Sequence, residues 1–382
     1  MSRAMRRHPK RILMTADTLG GVWTYAVELA HVLWKHDIEV VLATMGAPLS
    51  AQQRADLRQI PGAELHESTF KLEWMEHPWD DVARAGEWLL RLEEELEPDI
   101  VHLNGYAHGA LPWKAPRLVV GHSCVLSWWE AVLKEPAPPE WKRYRHEVKR
   151  GIAAADAVVV PTASMRDALA RHYHSDIACS IIPNGRNTEL FAPGIKEALV
   201  LTAGRLWDRA KNVAALMESA PLLSWPLYIA GEECPPSGGG DTAAGRHSAV
   251  RRLGRLPASG IASWMSRASL YAFPAYYEPF GLSVLEAGLS GCALVLGDIP
   301  SLRELWHDAA LFVSPDDTSM IREAIETLIR NAAYRQEMAE RARVRAQEFT
   351  PRRMAAGYLA VYERMVQSAA APASETEGQC VS

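Results

Sequence analysis

Short apolar runs recur along this 382-residue chain, and segments of helical periodicity separate them. In the first half they fall at residues 12–14, 39–44, 100–103, 118–120, 157–160 and 177–182. In the second half they fall at 199–203, 227–230, 270–273, 293–296 and 311–313. Brief runs with little polar alternation are strands buried on both faces, as in parallel sheets. Their alternation with helices predicts an α/β chain whose sheets are covered on both sides. Residues 22–35 read as an amphipathic helix between the first two strands, and 81–97 as a long charged helix ending before Pro98. The string Ile181-Ile182-Pro183-Asn184-Gly185 is a strand-to-turn signal of the kind that closes a domain. At roughly 150 residues per domain the length suggests two. The boundaries read are 1–190 and 191–350, with a linker at 186–196.

The string from Tyr276 to Ala287 carries the most chemistry. It sets Glu278 and Glu286 eight positions apart, with Pro279, Phe280 and Gly281 after the first. Proline fixes φ and glycine permits close backbone approach, so this is a loop. A helix then starts at Leu282. Its unpaired amides, at Leu282 and Ser283, and the positive end of its dipole point back at the loop, where a phosphate would sit. Glu286 lies about one turn in, roughly 5 Å along the axis. Two acids therefore flank an anion pocket, the pattern a nucleotide-sugar presents with hydroxyls on either side of a diphosphate. An ordinary helix with solvated glutamates has the same spacing, so other landmarks must decide. Leu201-Thr202-Ala203-Gly204-Arg205-Leu206 ends a strand with a cation, and Lys211 comes shortly after it. Both sit past the carboxyl end of a strand, where open α/β sheets bind ligands.

This Glu-x7-Glu string, with Pro-Phe-Gly-Leu inside it, resembles the signature of retaining glycosyltransferases of the GT-B fold. It is most similar to the large family that includes sucrose synthases and bacterial polysaccharide and lipid glycosyltransferases. The resemblance covers residues 10–367 and is more specific in the second half. It implies two Rossmann-like, doubly wound parallel-sheet domains facing a cleft. The second would hold a nucleoside diphosphate sugar, which is the donor substrate, with no cofactor. The first would hold a saccharide or glycolipid acceptor, as in polysaccharide biosynthesis. Arg205 and Lys211 would contact the diphosphate, Glu278 the sugar hydroxyls and Glu286 the ribose. Phe280, Gly281, Leu282 and Ser283 would form the anion loop. The implied reaction is a front-face displacement in which fixed cations and helix amides absorb the leaving charge.

The same resemblance implies further positions. Gly20 and Gly21, after Thr15-Ala16-Asp17-Thr18-Leu19, face the donor across the cleft. His122, in Leu118-Val119-Val120-Gly121-His122-Ser123, lies beside the transferred sugar. His102 ends another strand and reads as a satisfied core histidine. The strand 250–256 contains Leu253-Gly254-Arg255-Leu256, whose backbone in relatives reads the base edge, which puts Leu256 in the donor site. A Gly- and Pro-rich stretch, 232–246, reads as an irregular loop near the nucleotide. Gly297-Asp298-Ile299-Pro300-Ser301 departs from the family's glycine-rich turn, so nothing catalytic is assigned there, and Glu304 reads only as a helix-start residue. Helix 351–367 is expected to pack back on the first domain, and 368–382 to be disordered.

Bulk properties exclude several classes. A net charge of −5 argues against a general nucleic-acid binder. The five cysteines (Cys124, Cys179, Cys234, Cys292, Cys380) show no Cys-x-x-Cys pairing and no zinc spacing, so free thiols in a reducing cytosol are expected. There is no Asp-x-Asp, and no metal is implied. No run approaches the ~18 apolar residues of a membrane helix, and the amino terminus lacks a signal core. The chain is therefore expected in the cytoplasm, with a basic arm (Arg3, Arg6, Arg7, Lys10, Arg11) able to touch anionic lipid at the inner membrane face. The sequence is silent on oligomeric state. Among the tryptophans of the first half, Trp128-Trp129 are the best candidates to stack on an acceptor sugar. Two other readings stay open: a nucleotide-sugar epimerase of the same architecture, and a non-catalytic binding subunit.

Overall fold

The computed structural model describes residues 8–173, 178–232 and 249–370. Seven strands build the first sheet: β1 (Arg11–Asp17), β2 (Glu39–Met45), β3 (Glu64–Glu67), β4 (Ile100–Leu103), β5 (Arg117–Val120), β6 (Ala157–Val160) and β7 (Cys179–Ile181). Six build the second: β8 (Glu197–Ala203), β9 (Leu227–Ala230), β10 (Val250–Gly254), β11 (Ala268–Phe273), β12 (Ala293–Gly297) and β13 (Leu311–Val313). The first runs β3-β2-β1-β4-β5-β6-β7 and the second β10-β9-β8-β11-β12-β13. Neighbouring strands are parallel throughout, with Ile12 opposite both Val40 and Ile100, and Leu270 opposite both Ala293 and Val200. Each sheet thus reverses its strand order once, between β1 and β4 and between β8 and β11.

Adjacent residues of one strand enter different cores, which explains the short apolar runs. Ile12 and Met14 join the helices Gly21–Trp34 and Pro351–Ala370, while Leu13 joins Leu89, Val148 and Leu169 on the opposite face. In the second sheet Leu199 and Leu201 face Leu285 and Trp306, and Val200 faces Leu216 and Ile325. Helix Pro351–Ala370 belongs to the first core through Met354, Tyr358 and Tyr362. His102 fastens it there: buried, it lies 2.6 Å from Tyr362 Oη and 3.2 Å from Tyr25 Oη.

Several boundaries differ from the sequence reading. β3 is unexpected because Glu-Leu-His-Glu carries little apolar signal, as suits an edge strand with exposed ends. The strand expected over 250–256 stops at Gly254, whose φ of 66° turns the chain out of the ladder. The final helix runs through Ala370, so Ser368 to Ala370 continue it instead of belonging to a disordered tail. The rest of that tail, Ile177, most of the 232–246 stretch, Arg3, Arg6, Arg7, Cys234 and Cys380 lie outside the described residues.

Candidate functional site

Open α/β sheets bind ligands beyond strand carboxyl ends where the strand order reverses. Here the two reversal points face one another. From the second sheet, the loop after β8 brings Arg205 and the loop after β11 brings Glu278. From the first, β1 ends at Asp17 and the chain leaving β4 carries Asn104. Gly20, at φ 101°, comes so close that a β-carbon on it would lie 3.9 Å from an Arg205 guanidinium nitrogen, and one on Gly21 would lie 3.3 Å from Leu282 Cδ1. The paired glycines therefore lie at the interface between the domains, against Arg205 and Leu282.

The expected loop and helix start form here. Helix Leu282–Leu289 is capped by Gly281 in the left-handed region at φ 87°, a conformation that favours glycine. Glu278 sits just ahead of it. Its Oε2 accepts from Lys211 Nζ at 2.9 Å and its Oε1 from the Gly281 amide at 3.0 Å. Ser301 Oγ donates to the Glu278 carbonyl at 2.5 Å, so the turn with no expected role steadies the backbone of this acid. Lys211 and Glu278 are both largely buried, at 11% and 18% side-chain exposure, and so oppose each other in little water.

One carboxylate organises the cations. Asp208 accepts from Arg205 at 2.9 Å, caps the short turn Arg209–Lys211 through the Ala210 amide at 3.0 Å, and accepts from Trp128 Nε1 at 3.2 Å. Trp128 therefore crosses from the first domain with its indole N–H committed to Asp208, an in-plane bond that fixes the ring and leaves its faces uninvolved. Trp129 packs edge-on against it. Arg205 also lies over the Trp207 ring at 5.2 Å.

His122 comes to the same cleft. Its Nε2 lies 2.8 Å from Asn104 Oδ1, and Asn104 Nδ2 donates to the Thr15 carbonyl at 2.6 Å. The amide orientation so fixed makes Oδ1 the acceptor, so Nε2 carries the ring proton and Nδ1 is left as an acceptor. Burial lowers the pKa of His122 to about 3, so the ring is neutral at physiological pH.

Glu286, the acid expected to hold the ribose, is held by a partner within the protein. Its Oε1 accepts from Arg186 Nε at 2.7 Å, and the same guanidinium donates to Glu28 Oε1 at 2.5 Å. Glu304 is likewise more than a helix-start residue: it accepts from the amides of Ala163 and Ser164 at 2.7 and 2.9 Å, capping a first-domain helix from the second domain. Leu256 lies just beyond the strand end and packs against the second core. Phe280 is buried in that core beside Phe349.

Sequence reasoning does not single out Asp17, Asn104, Arg186 or the capping role of Glu304. Asp17 has a usable signal, since it ends a strand on the cleft side of a quoted motif. Burial pushes its carboxyl up to about 7 from an ordinary 3.8, against the pull of the Leu19 amide, Arg205 and Trp74. A raised carboxyl contributes stability that is complete below 3.8 and lost as pH rises through 7. Asp17→Asn, which cannot ionise, is therefore expected to melt above wild type at pH 8 and level with it at pH 4, read by thermal denaturation. A variant less stable than wild type at pH 8 would reverse this reading.

This architecture defines a class: two parallel-sheet α/β domains facing one another across a cleft, the GT-B fold. Residues 19–190 match the Glycosyltransferase Family 4 model and residues 197–331 the Glycosyl transferases group 1 model. The chain belongs to these glycosyltransferase families. It is 26% identical over 388 residues to a D-inositol 3-phosphate glycosyltransferase of Pseudarthrobacter chlorophenolicus, covering 91% of each chain. It is 30% identical over 211 residues to glycogen synthase of Mycobacterium tuberculosis, a match that spans 46% of this chain and only 50% of that one. In fold it is similar to sucrose-phosphate synthase of Thermosynechococcus elongatus, with a TM-score of 0.78 at 19% identity over 94% of this chain and 100% of that one. It is also similar to Anabaena HepE in complex with UDP and glucose, with a TM-score of 0.74 at 15% identity over 93% and 100%.

Proposed function

We propose that this protein transfers a hexosyl unit from a nucleoside diphosphate sugar to an acceptor hydroxyl, with the anomeric configuration retained. The observation that carries the reading is the Lys211–Glu278 pair at the amino end of helix Leu282–Leu289, with Arg205 beside it and His122 opposite. Free of donor, Lys211 is neutralised by Glu278. A diphosphate at the helix amides would draw on Lys211 and Arg205, and Glu278 would turn to the sugar hydroxyls. As the acceptor oxygen bonds to the anomeric carbon, the bond from that carbon to the phosphate oxygen breaks. The acceptor proton passes to the departing phosphate oxygen. The cations and amides favour the charged leaving group over the bound donor, which is how such groups accelerate a reaction. Neutral His122 would accept a sugar hydroxyl at Nδ1.

Its place of action is proposed to be the cytoplasm. The described thiols, Cys124, Cys179 and Cys292, are free, as a reducing compartment would leave them. Among the described residues no helix is long and apolar enough to cross a membrane. The test of donor class is thermal denaturation with UDP, GDP and ADP and their glucose or mannose conjugates. A ligand at a hundred times its Kd stabilises by about 2.7 kcal/mol, so one series is expected to raise Tm clearly. UDP is the first to try, since HepE is a structural neighbour holding it. No shift with any series would remove the nucleotide-sugar reading.

A further inference from the structure

Helix Val125–Leu133 of the first domain touches the second domain at two points, each next to a donor group. At its start the Cys124 amide donates to Tyr277 Oη at 3.0 Å, and Tyr277 precedes Glu278 in the chain. One turn on, Trp128 Nε1 donates to Asp208 Oδ1 at 3.2 Å, and Asp208 holds Arg205. We propose that Trp128 is a positioning residue for the donor's diphosphate, acting through Asp208 on Arg205. The second domain's cation would then take its orientation from the first domain. The inference rests on the nucleotide-sugar reading and adds to that site a residue from the opposite domain.

The argument is one of acceptor positions. An ionised carboxylate offers about four, two on each oxygen. On Asp208 the Ala210 amide at 3.0 Å and the Trp128 indole at 3.2 Å fill those of Oδ1. Oδ2 is left to Arg205 Nη2 at 2.9 Å. Asp208 is buried, so its charge has little water to turn to. The two bonds to Oδ1 come from different domains, and together they fix the plane of the carboxylate. That plane sets the direction from which Nη2 approaches. The other arm of the guanidinium, Nη1, lies toward Gly20, 3.9 Å from where a β-carbon would stand. A guanidinium carries five N–H donors, so one arm can stay on Asp208 while the rest meet a phosphate.

Without the Trp128 N–H, the Ala210 amide alone would hold Oδ1. The carboxylate could then swing about its Cβ–Cγ bond, and Arg205 would swing with it. A plain domain glue behaves differently. Loosening a glue weakens every part of a bound nucleotide alike, whereas a positioning residue for Arg205 affects only the part that carries phosphate.

The experiment follows the indole N–H resonances of the full chain by NMR while uridine and UDP are titrated, with the guanosine and adenosine pairs in parallel. The quantity read is the ratio of the nucleoside Kd to the Kd of its diphosphate, for the pair that binds wild type. Trp128→Phe keeps a ring and removes the N–H. It is expected to lower the ratio about tenfold, as loss of one hydrogen bond to a charged group does, with the nucleoside Kd unchanged. Added to Arg205→Ala, it is expected to leave the ratio where Arg205→Ala alone puts it. Asp208→Asn, of the same shape without the charge, is expected to give the same loss from the other end of the bond. The remaining indole resonances report that each variant is folded. An unchanged ratio in both Trp128→Phe and Asp208→Asn, an equal fall in nucleoside and diphosphate affinity, or a Trp128→Phe loss that persists undiminished without Arg205 would overturn the assignment alone. No binding of any nucleoside diphosphate to wild type would remove the donor reading and this inference with it.

Discussion

Lys211→Ala is expected to lower kcat about a thousandfold while leaving a folded protein. Removing one preorganised donor aimed at developing charge costs 10²–10³ in typical enzymes, or about 2.7–4 kcal/mol. The upper end applies here because Lys211 serves two roles. It would meet the leaving diphosphate, and it holds Glu278 Oε2 at 2.9 Å in a setting where both side chains are mostly buried. Without it, Glu278 keeps only the amides of Gly281 and Phe280, at 3.0 and 3.4 Å, and is free to turn away from the sugar. The fold survives because the turn Arg209–Lys211 is held by Asp208 and by Asn212, whose Nδ2 donates to the Pro274 and Pro315 carbonyls at 3.0 and 2.8 Å. The measurement is nucleoside diphosphate release with acceptor present, alongside near-ultraviolet circular dichroism. Turnover within tenfold of wild type would mean that Lys211 does not face the leaving group.

Much of this site is legible in the sequence for a physical reason. In a parallel sheet buried on both faces, strands are apolar runs, and the residues next in the chain after a strand lie at its carboxyl end. Arg205, Lys211, Glu278 and His122 can therefore be placed relative to strands without coordinates, and helix Leu282–Leu289 begins where the Gly281 stop predicts. The hidden part depends on how the two domains meet. Nothing in the string around Glu304 says that it will cap helix Ala163–Tyr173, because Glu304 and Ala163 are 141 residues apart. The bond from Trp128 to Asp208 is hidden in the same way, because local sequence cannot reveal a partner 80 residues away. β3 escapes notice because an edge strand needs few apolar residues. Asp17 stands in plain view inside a quoted motif, yet a carboxylate beside two glycines reads as turn chemistry until its burial and its neighbour Trp74 are known.

Arg186→Ala is expected to cause the largest loss of stability. Arg186 lies in the linker, at the start of a stretch that reads in the sequence only as a connection. Its Nε donates to Glu286 Oε1 at 2.7 Å and its other arm to Glu28 Oε1 at 2.5 Å, with the guanidinium 4.9 Å from the Phe191 ring. One cation thus joins the first helix of the first domain to the helix that carries the second motif glutamate. All three side chains are only 10–12% exposed, so removing the cation leaves two carboxylates facing each other in little water. Breaking a buried pair typically costs 3–5 kcal/mol, and in a chain of this size that corresponds to a fall in Tm on the order of 4–6 °C.

The sign of its pH dependence separates this mechanism from lost packing. Burial already raises Glu286 above its ordinary 4.5, and Arg186 pulls the other way. Without Arg186 the folded-state value rises further, so the folded form holds protons that the unfolded form releases. Stability from such a group is complete below about 4.5 and falls as pH rises through the folded value. The Tm gap between Arg186→Ala and wild type is therefore expected to be small near pH 4 and to widen toward pH 8. Adding Glu28→Gln to Arg186→Ala should recover part of it at pH 8, because one of the two facing charges is gone. A gap that is constant with pH and indifferent to Glu28→Gln would mean that Arg186 acts through its contact with Phe191. The widening gap would instead establish that the motif glutamate is held in place, before any ribose arrives, by a charge drawn from the linker.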